Sequence, residues 1–152
     1  MLKRIAAAAC LALAFLGAAQ AQERGTEDEA KAMVDQALQA VKTMGAEKAF
    51  AEFSTPGGKW HAKDLYLFCY KLDGTNTCHG ANKALIGKNL IDLQTADGQP
   101  LIKNMVGIAS GKGSGWIEYR WPHPQTKKLE DKKAWVARIP GQDYFLGVGV
   151  YR

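Results

Sequence analysis

The chain has 152 residues, 47% of them hydrophobic and 23% charged, with 20 Lys and Arg against 15 Asp and Glu. That length suits one domain able to bury its own core. Apart from Lys127-Lys128 and Lys132-Lys133 the basic residues are scattered, so the small positive balance does not point to nucleic acid.

At the start, Lys3 and Arg4 precede an apolar stretch from Ile5 to Ala19, and Ala19-Gln20-Ala21 is an A-x-A cleavage signal. The pattern predicts a secretory signal peptide over residues 1–21, cut after Ala21. An uncleaved anchor is the weaker reading, because the run falls short of the about 20 apolar residues that a spanning helix needs. Cys10 lies inside the run and goes with it. Taking Lys3 and Arg4 from the 20 basic residues leaves 18 against 15, a net charge of +3 for the chain from Gln22 onward. Residues 22–152 are expected to form one periplasmic or secreted domain, and no later segment is apolar enough to cross a membrane.

Thr26-Glu27-Asp28-Glu29 is a capping box that starts a helix. Ala30, Met33, Val34, Ala37, Leu38 and Val41 follow at the spacing of one buried helical face, and Gly45 ends it. Residues 46–53 form a short second helix, closed by Pro56, Gly57 and Gly58. Residues 64–72 are aromatic and branched and read as a strand. Asp73-Gly74 marks a two-residue hairpin turn, and residues 75–80 are the return strand. A loop-rich excursion leads to a helix that begins at Pro100 and carries Leu101, Ile102, Met105, Val106 and Ala109 on one face. Strands over 115–121, 132–139 and 143–151 close the chain, the last two joined by Pro140-Gly141. Strands joined by short turns, with helices between, predict an α+β fold with an antiparallel sheet of about five strands, the long N-terminal helix and a further helix packed on it.

Counting outward from a type I′ turn at Asp73-Gly74 places Cys69 opposite Cys78 in a non-hydrogen-bonded pair. Such pairs hold their Cα atoms about 4.5 Å apart, within disulfide range. With export to an oxidising compartment, this predicts a Cys69–Cys78 disulfide. Covalent haem needs C-x-x-C-H, and Cys78-His79 supplies only its end. Zinc needs about four ligands, and no second pair of Cys or His lies nearby in sequence. Neither metal nor cofactor is expected.

His61, His79 and His123 belong to no catalytic unit and read as solvated loop histidines. Gly111-Lys112-Gly113-Ser114-Gly115 follows a helix, whereas a phosphate-binding loop opens one. No nucleophile with an adjacent base is evident, and no enzyme is expected.

The stretch from Gly115 to Pro124 is the most informative for binding. On a strand Ile117, Tyr119 and Trp121 share one face, while Trp116, Glu118 and Arg120 share the other. Tyr119 and Trp121 combine flat apolar area with a polar tip, which suits a small ligand. Lys132, on the next strand, is a natural carboxylate partner. The residues alone leave a second reading open, in which the aromatics are core and Lys132 is a solvated strand end.

Residues 115–151 resemble the closing half of a single Cache domain of the second type. They carry Gly115-Trp116, Tyr119-x-Trp121-Pro122-x-Pro124, Lys132, Pro140-Gly141, and Gly147-x-Gly149-x-Tyr151. Upstream, residues 65–75 and 85–102 are similar to that family's first hairpin and its GKNL segment. Trp135 stands where the family often has tyrosine, Asp131 where it often has proline, and the cysteine pair is not a general feature of it. The resemblance implies a PAS-like sheet and an extracytoplasmic sensor that binds small molecules, often organic acids, without catalysis. It implies ligand contacts from Tyr119, Trp121 and Lys132, with Tyr66 and Phe68 as further pocket wall and Trp116 completing the candidate set. The implied partners are a small carboxylate and a membrane receptor, histidine kinase, chemoreceptor or transporter. The alternative is a structural or partner-binding periplasmic module with no small ligand.

Overall fold

A computed structural model describes residues 23–152; the expected signal peptide, with Cys10, lies outside them. The capping box forms as its residue types dictate. Thr26 Oγ1 accepts the Glu29 N–H at 3.2 Å, and the Glu29 carboxylate accepts the Thr26 N–H at 2.8 Å, which satisfies two amides that the first turn leaves free. Helix α1 runs over Glu27–Met44 and buries Ala30, Met33, Val34, Ala37 and Val41. Gly45, at φ 86°, takes a conformation costly for other residues, and α2 follows at once over Ala46–Phe53.

The sheet comprises β1 (Leu67–Lys71), β2 (Asn76–His79), β3 (Ser114–Pro122), β4 (Leu129–Arg138) and β5 (Tyr144–Tyr151), with α3 (Leu101–Ser110) between β2 and β3. Its strands are antiparallel and lie in the order β2-β1-β5-β4-β3. The chain is α+β, as its alternation of elements predicts. The sheet separates two cores. Helices α1 and α2 close one, against Leu67, Cys69, Leu146, Val148 and Val150. Helix α3 and the 90–93 segment close the other, against Phe68, Tyr70, Ile117, Tyr119 and Phe145. Period-2 alternation along β5 sends Leu146, Val148 and Val150 to the first core and leaves Gly147 and Gly149 on the second face.

Cys69 pairs with Cys78, Cα to Cα 4.7 Å, and the disulfide is formed. The route to that register differs from the expected one. The turn is a residue longer: the Lys71 N–H donates to Thr75 O, the Gly74 N–H donates to Lys71 O, and Gly74 holds φ 95°. Tyr70 therefore lies opposite Asn76, and a bulge before the cysteines restores the pairing of Cys69 with Cys78. Two one-residue irregularities cancel.

Lys132 is the fourth residue of β4 and not its first, because β3 and β4 run further into their hairpin than expected. Among the described residues no helix is long and apolar enough to cross a membrane.

Candidate functional site

The β3–β4 register sets Tyr119 opposite Lys132, and the β4–β5 register sets Lys132 opposite Tyr151. Phe68 lies opposite Gly147 on β5 and opposite His79 on β2. These pairings bring Phe68, His79, Tyr119, Lys132 and Tyr151 onto the α3 face of the sheet, and Tyr66 joins them from the residue before β1. The two β5 glycines make room for them. A Cβ on Gly149 would overlap the Lys132 stem, and one on Gly147 would overlap the Phe68 ring.

Lys132 is 2% exposed. Its ammonium lies 4.2 Å from the Tyr66 ring centroid, 4.9 Å from Tyr151, 5.6 Å from Phe68 and 5.7 Å from Tyr119. Aromatic faces attract a cation but replace water incompletely. Burial accordingly lowers the Lys132 pKa from 10.5 to about 7, against the opposing pull of the Asp64 charge. Among the described residues no carboxylate lies within ion-pairing distance of Nζ. The reading of Lys132 as a solvated strand end is overturned, because the sheet register carries it under the rings.

Nζ donates to Tyr66 Oη at 2.7 Å. Tyr151 Oη donates to the Pro122 carbonyl at 2.9 Å, so the 3.0 Å contact between the two phenols has Tyr66 as donor. The chain thus runs one way, from Lys132 through Tyr66 and Tyr151 to a backbone carbonyl. Desolvation raises the phenols of Tyr66 and Tyr119 well above their ordinary range and keeps them neutral.

His79 and His123 are both buried, which corrects their reading as solvated loop residues. His79 Nδ1 accepts the N–H groups of Ala81 and Asn82 at 3.2 and 2.9 Å, so its proton sits on Nε2. Burial, then the Lys132 charge, lowers its pKa to about 3. Its ring lies 5.2 Å from that of Tyr66. His123 Nδ1 accepts from Gln125 N–H and Thr126 N–H, and its Nε2–H donates to Asp64 Oδ2 at 3.3 Å. Asp64 Oδ1 accepts the Gly25 N–H at 2.7 Å, just before α1, and His123 packs edge-on against Tyr151 at 4.6 Å. His61 is half-buried and bonds the Gly80 carbonyl through Nε2.

Of the residues expected to bind ligand, Tyr66, Phe68, Tyr119 and Lys132 come together. Trp121 stands beside them, edge-on to Tyr119 at 6.2 Å. Trp116 does not join them. It faces the α1 side, edge-on to Trp135 at 5.2 Å and under Lys133, because even and odd residues of β3 point to opposite faces. Two depressions of about 290 Å³ each flank the cluster. One is bordered by Tyr119, Lys132 and Arg120, the other by Tyr66, His61 and Gly80. The space at the centre of the rings holds the Lys132 ammonium itself. Among the described residues no three His, Cys, Asp or Glu gather to hold a metal.

The family model described as Single Cache domain 2 matches residues 3–152. The chain belongs to that family. This Cache domain is 33% identical over 91 residues, 60% of its length, to the sensor histidine kinase MctS of Rhizobium johnstonii. It is 27% identical over 88 residues, 58% of its length, to the methyl-accepting chemotaxis protein McpP of Pseudomonas putida. The matches cover 20% and 16% of those two relatives, so the Cache domain corresponds to a small part of each. Among solved structures, a methyl-accepting chemotaxis protein from Vibrio parahaemolyticus superposes with a TM-score of 0.68 at 25% identity, over 82% of this chain and 86% of that one. A Cache chemosensory domain whose structure was described for carboxylic acid recognition superposes at 0.69 and 23% identity, over 82% and 91%. The relatives are sensor proteins, and the shared part is the sensor domain.

His79, His123, Tyr151 and Asp64 were not among the expected ligand contacts. For His79 a signal existed, since the count that pairs Cys69 with Cys78 also sets His79 opposite Phe68. Nothing local in the sequence marks Asp64 or His123.

Proposed function

We propose that this Cache domain is exported and binds a small carboxylate at Lys132 as a sensor, without transforming it. One observation carries the reading: a buried ammonium, ringed by aromatic side chains, has no carboxylate among the described residues within ion-pairing distance. An ammonium has three N–H donors, and Tyr66 takes one of them. A ligand carboxylate supplies the missing countercharge, and His79 Nε2–H is a second donor on the same face. Carboxylic acid recognition by a structural neighbour of the same fold supports the assignment. That the relatives are a sensor histidine kinase and a methyl-accepting chemotaxis protein supports a kinase or chemoreceptor as the partner that reads the bound state.

Thermal-shift titration of residues 22–152 with C2 to C6 carboxylates, amino acids and amines tests this. Carboxylates are expected to stabilise saturably and amines not, with the effect lost in Lys132→Met. A flat response across the panel refutes the reading. It would favour instead a partner-binding module with no small ligand, consistent with rings that close on the protein's own lysine.

A further inference from the structure

Lys132 differs from an ordinary carboxylate-binding lysine in its setting. Its ammonium is out of water, touches no protein carboxylate among the described residues, and is bonded to a phenol at the head of a one-way proton chain. Those are the circumstances in which a lysine loses its proton readily and acts as a nucleophile.

We propose that Lys132 captures small α-oxo acids covalently, as a reversible Schiff base. The inference rests on the carboxylate reading of the same site and adds a bond to it. The Nζ lone pair attacks the ketone carbon, forming C–N, while one Nζ proton passes to the carbonyl oxygen to give a carbinolamine. The C–O bond then breaks, the oxygen leaves as water with the second Nζ proton, and the imine nitrogen takes up one proton from water to become the iminium. Nothing is oxidised or reduced. The hydroxyl of Tyr66, 2.7 Å from Nζ, is placed to relay both protons, accepting one from the nitrogen as its own passes to the substrate oxygen. Burial lowers the Lys132 pKa from 10.5 to about 7, which favours the neutral amine that attacks.

The same surroundings select the carbonyl class. A simple aldehyde would leave a protonated imine, a buried cation with no partner, which is costly. An α-oxo acid brings its carboxylate on the adjacent carbon, so the cation is paired within the adduct itself. His79 Nε2–H remains as a donor to that carboxylate. Lys133, next in sequence, has no such relay and pairs instead with Glu27 at 2.8 Å.

The test uses the protein from Gln22 to Arg152 with pyruvate or glyoxylate and sodium cyanoborohydride at pH 7, read by intact mass and peptide mapping. One reduced adduct is expected, on Lys132, blocked by excess acetate. The adduct is lost in Lys132→Met, retained in Lys133→Met, and formed at least about tenfold more slowly in Tyr66→Phe, which loses the relay. Acetaldehyde is expected to give no selective adduct. An adduct spread over surface lysines, or none, overturns the inference. If the oxo acids stabilise the protein saturably but leave no adduct, capture fails and carboxylate binding stands. If they neither stabilise nor react, both fail.

Discussion

At Lys132 a single side chain combines a buried charge with an aromatic shell, and its energetics have a definite sign. Its pKa is about 7 in the folded protein and 10.5 when free. Below pH 7 both folded and unfolded chains carry the proton, and the full cost of burying it is present. Between about pH 7 and 10.5 the unfolded chain binds more protons, so stability rises with pH. His79, held at about 3 against an ordinary 6.5, obeys the same rule lower down, and stability falls as pH drops from 6.5. In urea melts of the unliganded protein, Lys132→Met is expected to be more stable than wild type by a few kcal/mol at pH 6.5. The gap should narrow by pH 9.5; a gap constant across that range rejects the buried-ammonium account. Carboxylate affinity has the opposite trend and should weaken by about tenfold per unit above pH 7, as the ammonium is lost.

Among the elements, β5 decides whether the site exists. Its odd glycines give up packing on one face so that Phe68 and Lys132 can lie flat across the strand. Replacement tests this directly. In Gly149→Ala the new methyl meets the lysine stem, which has the sheet beneath it and rings around it. Carboxylate binding is expected to vanish, at a stability cost of about 1–3 kcal/mol from overpacking. Titration calorimetry showing unchanged affinity would mean that the lysine's position is not critical. The hairpin of β1 and β2 shows a different logic. Its disulfide holds the register on the α1 face, while the bulge beside it restores the alternation that turns Phe68 and His79 inward on the other.

For the whole molecule, the sheet is a partition. The core under α1 and α2 is a single apolar cluster, and the face under α3 carries the polar network. Stability and binding should therefore separate. Leu146→Ala, on the α1 face and fully buried, is expected to cost about 2–5 kcal/mol in chemical denaturation and leave carboxylate affinity unchanged. Loss of both together would show that the two faces are coupled. The hydrogen bonds of Asp64 to Gly25 and His123 tie the start of α1 to the β3–β4 hairpin beside Tyr151, which links the first helix to the Lys132 side of the sheet.

Local chemistry by itself determined the helices, the α+β class and the cysteine pair. A capping box, a 3.6-residue apolar repeat and two cysteines flanking a turn act over a few residues, and no distant contact is needed to express them. The disulfide register survived an incorrect turn because a bulge offset it. The Tyr119-x-Trp121 spacing placed two aromatic side chains on one face of β3 in advance. Tertiary structure decided the rest. Whether Lys132 is wet or buried depends on how far β3 and β4 pair and on what β5 lays beside them. The burial of His79 and His123, and the meeting of Asp64 with Gly25, follow from strands and loops far apart in the chain. Sequence spacing carries no record of such meetings, because they are set by sheet order and the register of non-neighbouring strands.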